Sequence, residues 1–138
     1  EEKTPSTSLL LRRLKAEVPL EGQGSPYDLI IGFTGLNVSP YVGGRARVDR
    51  IGNCREGLGN YIVTWVSTPF RYAGVESEFE WDALALIHEF GHIFGVAHTD
   101  DPTSIMYRDF AYRTEFDPRS RRTILSNRLC LFYAAGKS

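Results

Sequence analysis

"HEFGHIFGVAHTDDPTSIM", residues 88–106, holds all three histidines of the chain and its only methionine. On a helix, side chains four apart share a face, so His88 and His92 point the same way. Gly95 offers the left-handed conformation that ends a helix, and a turn there returns His98 toward the other two. Taken singly, each histidine reads more readily as a satisfied core residue than as a ligand, Glu89 as a solvated helix residue, and Met106 as core filler. Three histidines at this spacing reverse that reading. Three neutral imidazoles leave a tetrahedral zinc ion with one open position, the mark of a catalytic rather than a structural site. Water there has its pKa lowered to about 7, and Glu89, next to the first candidate ligand, can take its proton and pass it to a leaving amine. The chemistry expected is zinc-dependent hydrolysis of a peptide bond.

Working outward, Ser77 and Glu80 match a capping box, and Trp81, Leu84, Ala85 and His88 continue at helical spacing, which predicts a helix from about Glu78 to about Phe94. Upstream, Leu9, Leu10, Leu14 and Val18 form the apolar face of a short helix over Ser8 to Glu17, stopped by Pro19, and residues 21–26 read as a loop. "YDLIIGFTG" (27–35) reads as a strand buried on both faces. Gly43 to Ile51 alternates as an edge strand with a wet face, and "NYIVTWVS" (60–67) is a third strand rich in β-branched and aromatic residues. Arg119, Arg121 and Arg122 read as the exposed face of a last helix rather than a polyanion site.

The 138 residues, 42% hydrophobic and 24% charged, fit one globular domain with a single core. Sixteen basic and seventeen acidic side chains leave a formal charge of -1, which gives no footprint for nucleic acid or an anionic membrane surface. No run of apolar residues is long enough to span a bilayer, and no retained leader is evident.

The run His88-Glu89-x-x-His92-x-x-Gly95-x-x-His98, with Ser104-Ile105-Met106-Tyr107 after it, resembles the signature of the metzincin zinc endopeptidases. The resemblance implies that His88, His92 and His98 bind Zn2+, that Glu89 is the general base, and that Met106, in the Met-turn, forms an apolar floor below the metal. It implies an α+β zincin catalytic domain over residues 1–138: a small mixed sheet with an antiparallel edge strand, an active-site helix, the Met-turn and a C-terminal helix. About 1–99 would form an upper subdomain and about 100–138 a lower one. "HEFGH", "MY" and the short spacing from His98 to Met106 resemble matrixins. "LIIGFTG", the G-R-A-R-V…C stretch and "ILSNRLCLF" resemble adamalysins, which have slightly more weight here, although adamalysins usually carry aspartate where this chain has Thr99. Adamalysin-type domains begin with two further strands and a helix, so the resemblance implies a reduced domain or a fragment, with dimerisation or pairing with a missing N-terminal segment left open.

By itself the pair of well-separated cysteines could equally be two buried thiols. The adamalysin resemblance implies a Cys54–Cys130 disulfide, with Cys130 in the last helix, worth roughly 4 kcal/mol by the chain-entropy model. It also implies a secreted or otherwise extracytoplasmic protein. The expected partner is a protein or peptide substrate, paired along the edge strand at Arg45, Ala46, Arg47 and Val48, with Tyr107, Phe110 and Tyr112 walling the pocket beside the metal. Two rival readings are a zinc-dependent peptide-binding module without turnover, disfavoured by Glu89, and a zinc hydrolase of a non-peptide amide.

Overall fold

The structure, a computed structural model, describes residues 6–20, 27–35, 46–66, 76–109 and 111–133, with residues 76–81 described by backbone alone. The loop read at 21–26, the side chains of Ser77 and Glu80, and Arg45 and Phe110 lie outside the described residues.

Helix α1 (Thr7–Glu17) starts where Ser6 Oγ accepts the Leu9 amide at 3.1 Å, satisfying one of the free donors of a first turn. Three strands follow, β1 (Ile30–Thr34), β2 (Ala46–Val48) and β3 (Tyr61–Trp65), then α2 (Glu76–Ile93) and α3 (Pro118–Asn127). The sheet order is β1-β3-β2; β1 runs parallel to β3, and β2 antiparallel at an edge. The α+β fold with a mixed sheet and antiparallel edge strand is therefore the one expected from sequence.

Strand β3 is covered on both sides because its side chains alternate. Tyr61 and Val63 pack with Leu11 of α1, joined by Leu10, Leu14, Leu20 and Ile30. Ile62 packs the other way with Leu58 and with Ile93 of α2, joined by Ile31, Val48, Phe90 and Phe132. Hydrogen bonds from the Tyr61 hydroxyl to Val18 O and from Leu20 N to Tyr61 Oη, both 2.8 Å, tie the end of α1 to the central strand.

Two expectations need correction. The run in β1 is not buried on both faces: Phe33 is 60% exposed, on an outer strand of the three-stranded sheet and outside both core clusters. The edge strand also ends sooner than the alternation suggested: its paired residues run from Ala46 to Val48. One more ladder bond follows from Asp49 N to Tyr61 O at 3.0 Å, and there the Asp49 carboxylate accepts the amides of Asn60 and Tyr61 at 3.0 and 3.1 Å.

Cys54 and Cys130 form a disulfide with a Cα–Cα distance of 5.2 Å. Cys130 lies three residues beyond α3, not within it, since the helix ends at Asn127. The bridge fastens a tail that is also hydrogen-bonded to the loop before β3, through Leu58 N to Leu131 O at 2.9 Å and Tyr133 N to Leu58 O at 2.8 Å.

Candidate metal centre

Helix α2 carries His88, Glu89 and His92 and is terminated just past Ile93 by Gly95, whose φ of 102° is reached cheaply only without a side chain. The amide of Val96 bonds Gly91 O at 2.9 Å and that of Gly95 bonds His92 O at 3.0 Å, the paired bonds of a Schellman motif. The Asn127 side chain of α3 satisfies the next carbonyl, that of Phe94, at 2.8 Å. The reversal brings His98 back, and the ring nitrogens of His88, His92 and His98 lie within 4.8 Å of one another.

The tautomers are set by the backbone. His88 Nδ1 lies 2.6 Å from Ile105 O, and His92 Nδ1 lies 2.6 Å from Val96 O. A carbonyl only accepts, so each Nδ1 carries the proton and each Nε2 presents a lone pair. His88 Nε2 and His98 Nε2 face each other at 3.3 Å. Two ligand nitrogens about 2.0–2.1 Å from a tetrahedral ion would be separated by about 3.3 Å. The donor set and this spacing fit zinc, and the Nδ1 bonds supply the outer support that orients metal-binding imidazoles.

Charge in the site follows from burial. Desolvation pushes His92 down to about 4, with His88 and His98 adding to the shift and the Val96 bond opposing it. Desolvation also lowers His88, reinforced by His98 and Arg113 and opposed by the bond to Ile105. His98 is lowered by desolvation and by Arg108, against Asp109. All three imidazoles are thereby kept neutral, the form that can donate to a metal. Glu89 moves the opposite way: burial raises it to about 7, and the Arg47 guanidinium of β2 pulls it back down.

Below the histidines, Met106 is fully buried with Val96 and Ile105, packed by Leu84, Phe116 and Ile124. Its thioether occupies the space that a Cβ on Gly91 would need. The Met-turn is held from behind by Ser104, whose hydroxyl donates to Asp117 Oδ1 at 2.7 Å and accepts the amides of Met106 and Asp117 at 3.0 and 3.1 Å. Asp117 Oδ2 accepts the Ser120 amide at 3.0 Å and so caps α3.

Gly91, Asp117 and the two orienting carbonyls were not singled out from sequence. Asp117-Pro118 carries a helix-start signal, an N-cap residue followed by proline at the first helical position. Backbone acceptors carry none. Of the residues expected to wall a substrate pocket, Tyr107 pairs with Thr99 as a parallel bridge and lies under the Arg113 guanidinium, 4.9 Å from ring centroid to Cζ. Tyr112 lines a cleft of about 690 Å³ between residues 101–103 and 111–118, whose walls include none of the three histidines. Ala46, Arg47 and Val48 form the edge strand.

Comparison with known proteins places the chain in a family. The matrixin peptidase family matches residues 37–121, more than half of the sequence. The chain belongs to the matrixin family. This matrixin is 32% identical over 94 residues to neutrophil collagenase of Homo sapiens, a match covering 67% of this chain and 16% of that protein. The matrixin chain thus spans only a small part of the length of the curated relative it matches. Its fold is similar to that of archaemetzincin from Methanopyrus kandleri, with a TM-score of 0.62, 22% identity, and coverage of 90% of this chain and 66% of that one. A zinc-dependent peptidase from Methanocorpusculum labreanum aligns with a TM-score of 0.49 and 18% identity over 84% of this chain and 68% of that one. The metzincin resemblance read in the sequence is borne out, and its matrixin side is the one the family match supports, in place of the slight weight given to adamalysins.

Proposed function

We propose that the chain is a zinc-dependent endopeptidase in which His88, His92 and His98 hold the metal and Glu89 is the general base. The observation that carries this reading is the convergence of three imidazoles, two with their Nδ1 protons committed to carbonyls, beside a buried carboxylate with a raised pKa. Bound zinc supplies Lewis-acid chemistry, acidifying a water to near neutrality and polarising a carbonyl oxygen. Glu89, titrating near 7, is suited to both halves of the proton transfer: its carboxylate takes a proton from the attacking water and delivers it to the amine as the C–N bond breaks. Met106 packs against Gly91, the residue before His92 on the helix that carries the site.

The substrate in this reading is an extended peptide added to β2 along Ala46, Arg47 and Val48, where main-chain bonds give affinity and side-chain pockets give selectivity. A disulfide-bonded matrixin chain of this kind fits an extracytoplasmic setting. No helix among the described residues is long and apolar enough to cross a membrane.

The test is cleavage of a mixed peptide library at matched zinc content. Wild type should cut and lose activity with chelator. Glu89→Gln, nearly isosteric, should keep fold and zinc while losing about 10²- to 10⁴-fold or more in rate. Equal cutting by both proteins would remove Glu89 from the mechanism. Stoichiometric zinc without turnover by wild type would favour the peptide-binding reading.

A further inference from the structure

The formal charge of -1 conceals a segregated distribution. From Pro118 to Tyr133 the chain has four arginines and no acidic residue. The inner face of α3 is fixed by three contacts: Ser120 is buried, Ile124 packs on the Met106 cluster, and Asn127 reaches Phe94 O. At about 100° per residue, Arg121, Arg122, Leu125 and the C-cap residue Arg128, whose backbone is still right-handed helical, fall within an arc of about 120° on the opposite side, and Leu129 follows directly after the cap. All five are exposed, Leu125 at 50% and Leu129 at 84%. Leu131, at 72%, continues the apolar part just past the helix.

The platform is rigid. Leu129 and Leu131 flank Cys130, which is tied to Cys54, and Leu131 O accepts the Leu58 amide. The exposed leucines are therefore held out by a cross-linked segment. Scattered surface leucines need no explanation, but three exposed leucines within seven consecutive residues, in a segment that also carries four arginines, do.

We propose that this face is a docking surface for an anionic phospholipid bilayer. Arginines meet the headgroup phosphates, with their apolar stems lying along the interface, while Leu125, Leu129 and Leu131 enter the boundary of the acyl region. Charge complementarity selects this occupant. A second copy of the chain placed symmetrically on this face would set arginines against arginines. A sulfated polysaccharide would satisfy the arginines but leave the leucines in water. Basic and apolar signals acting together are what reversible attachment to a membrane surface requires.

The test is co-sedimentation of the full chain with phosphatidylcholine vesicles, with and without about one-third phosphatidylserine, at low and high salt. The chain should partition onto the phosphatidylserine vesicles, not onto phosphatidylcholine alone, and more weakly at high salt. Arg121→Gln and Arg122→Gln should each weaken partition by about fivefold. The Leu129→Ser, Leu131→Ser pair should weaken it by roughly tenfold or more. Unchanged melting and an intact Cys54–Cys130 bond would show that these surface changes leave the fold alone. Absence of partition overturns the proposal. So does partition that ignores the leucine pair and is matched by retention on heparin, which would mark a general polyanion surface. Self-association abolished by the leucine pair, without vesicle binding, would identify a second copy as the occupant and also overturn it.

Discussion

The Met106 thioether fills the space that a side chain on Gly91 would occupy, so the residue before His92 has to be glycine for the Met-turn to close beneath the helix. Gly91→Ala gains helix propensity, up to about 1 kcal/mol, but drives a methyl into a fully buried side chain. Overpacking of this kind costs about 1–3 kcal/mol, so the net expectation is destabilisation by up to about 2 kcal/mol. Urea melts of the single variants and of Gly91→Ala with Met106→Ala test it. The double variant should be less impaired than the sum of the singles, because the second change removes the clash. Additive losses would mean that the two sites do not touch.

Asp117 joins two structures, capping α3 through Ser120 and holding the Met-turn through Ser104. Burial alone would raise its pKa, but the hydrogen bonds from Ser120 and Ser104 hold it below the usual carboxylate range. Its stabilisation is accordingly present above the ordinary carboxylate pKa and lost as pH falls through the lowered folded value. Asp117→Ala removes a cap and leaves Ser104 without its acceptor, an expected cost of about 2–3 kcal/mol near neutral pH. Zinc affinity should fall with it, since Ile105 O, which orients His88, follows directly after Ser104. Unchanged zinc affinity in a destabilised variant would confine Asp117 to the helix cap.

For Glu89 the pH dependence has the opposite sign. Its folded pKa, about 7, is raised above the ordinary 4.5, so folding favours the protonated form. That contribution is fully present below about 4.5 and is lost as pH rises through about 7. In chelated, metal-free protein, Glu89→Gln should therefore gain stability over wild type across this window, by a few kcal/mol at its upper end. The histidines titrate in both proteins and cancel in the difference. A difference that stays constant from acid to neutral pH would place Glu89 in water rather than in the core.

The disulfide closes a loop of 76 positions, for which the chain-entropy relation gives roughly 4 kcal/mol. Replacing Cys54 and Cys130 with serine should lower stability by about that amount. It should also increase hydrogen exchange at the Leu58 and Tyr133 amides, which the bridged tail protects. Mass spectrometry of unreduced protein should find the two cysteine peptides joined. Two alkylatable thiols in protein from an oxidising compartment would contradict the bridge.

The parts legible in the sequence were those encoded locally. Periodicity located α1 and α2, and Gly95 marked the turn that returns His98. Alternation with charged residues located the edge strand, though not its end, where the Asp49 side chain is taken up by amides eleven and twelve residues away. Phe33 was misread because an apolar run does not reveal that its strand lies on the outside of the sheet. Ser104 and Asp117 are thirteen residues apart and meet only once the Met-turn and α3 have docked. Cys130 was assigned to a helix that ends at Asn127, a boundary that the apolar spacing of Leu125 and Leu129 obscures.

The contacts that shape the histidine cluster are short in sequence: four residues from His92 to Val96, ten from His88 to His98, and seventeen from His88 to Ile105. Loop-closure entropy grows with the length enclosed, so the cluster closes at far lower entropic cost than the sheet, where Ile30 must find Tyr61 across the intervening chain. Residues 88–106 are thus a low-contact-order unit inside a higher-contact-order domain. On the proposed zinc reading, metal capture would be free to precede β1–β3 pairing during folding, and an ion held early would act as a nucleus on which the rest of the chain condenses.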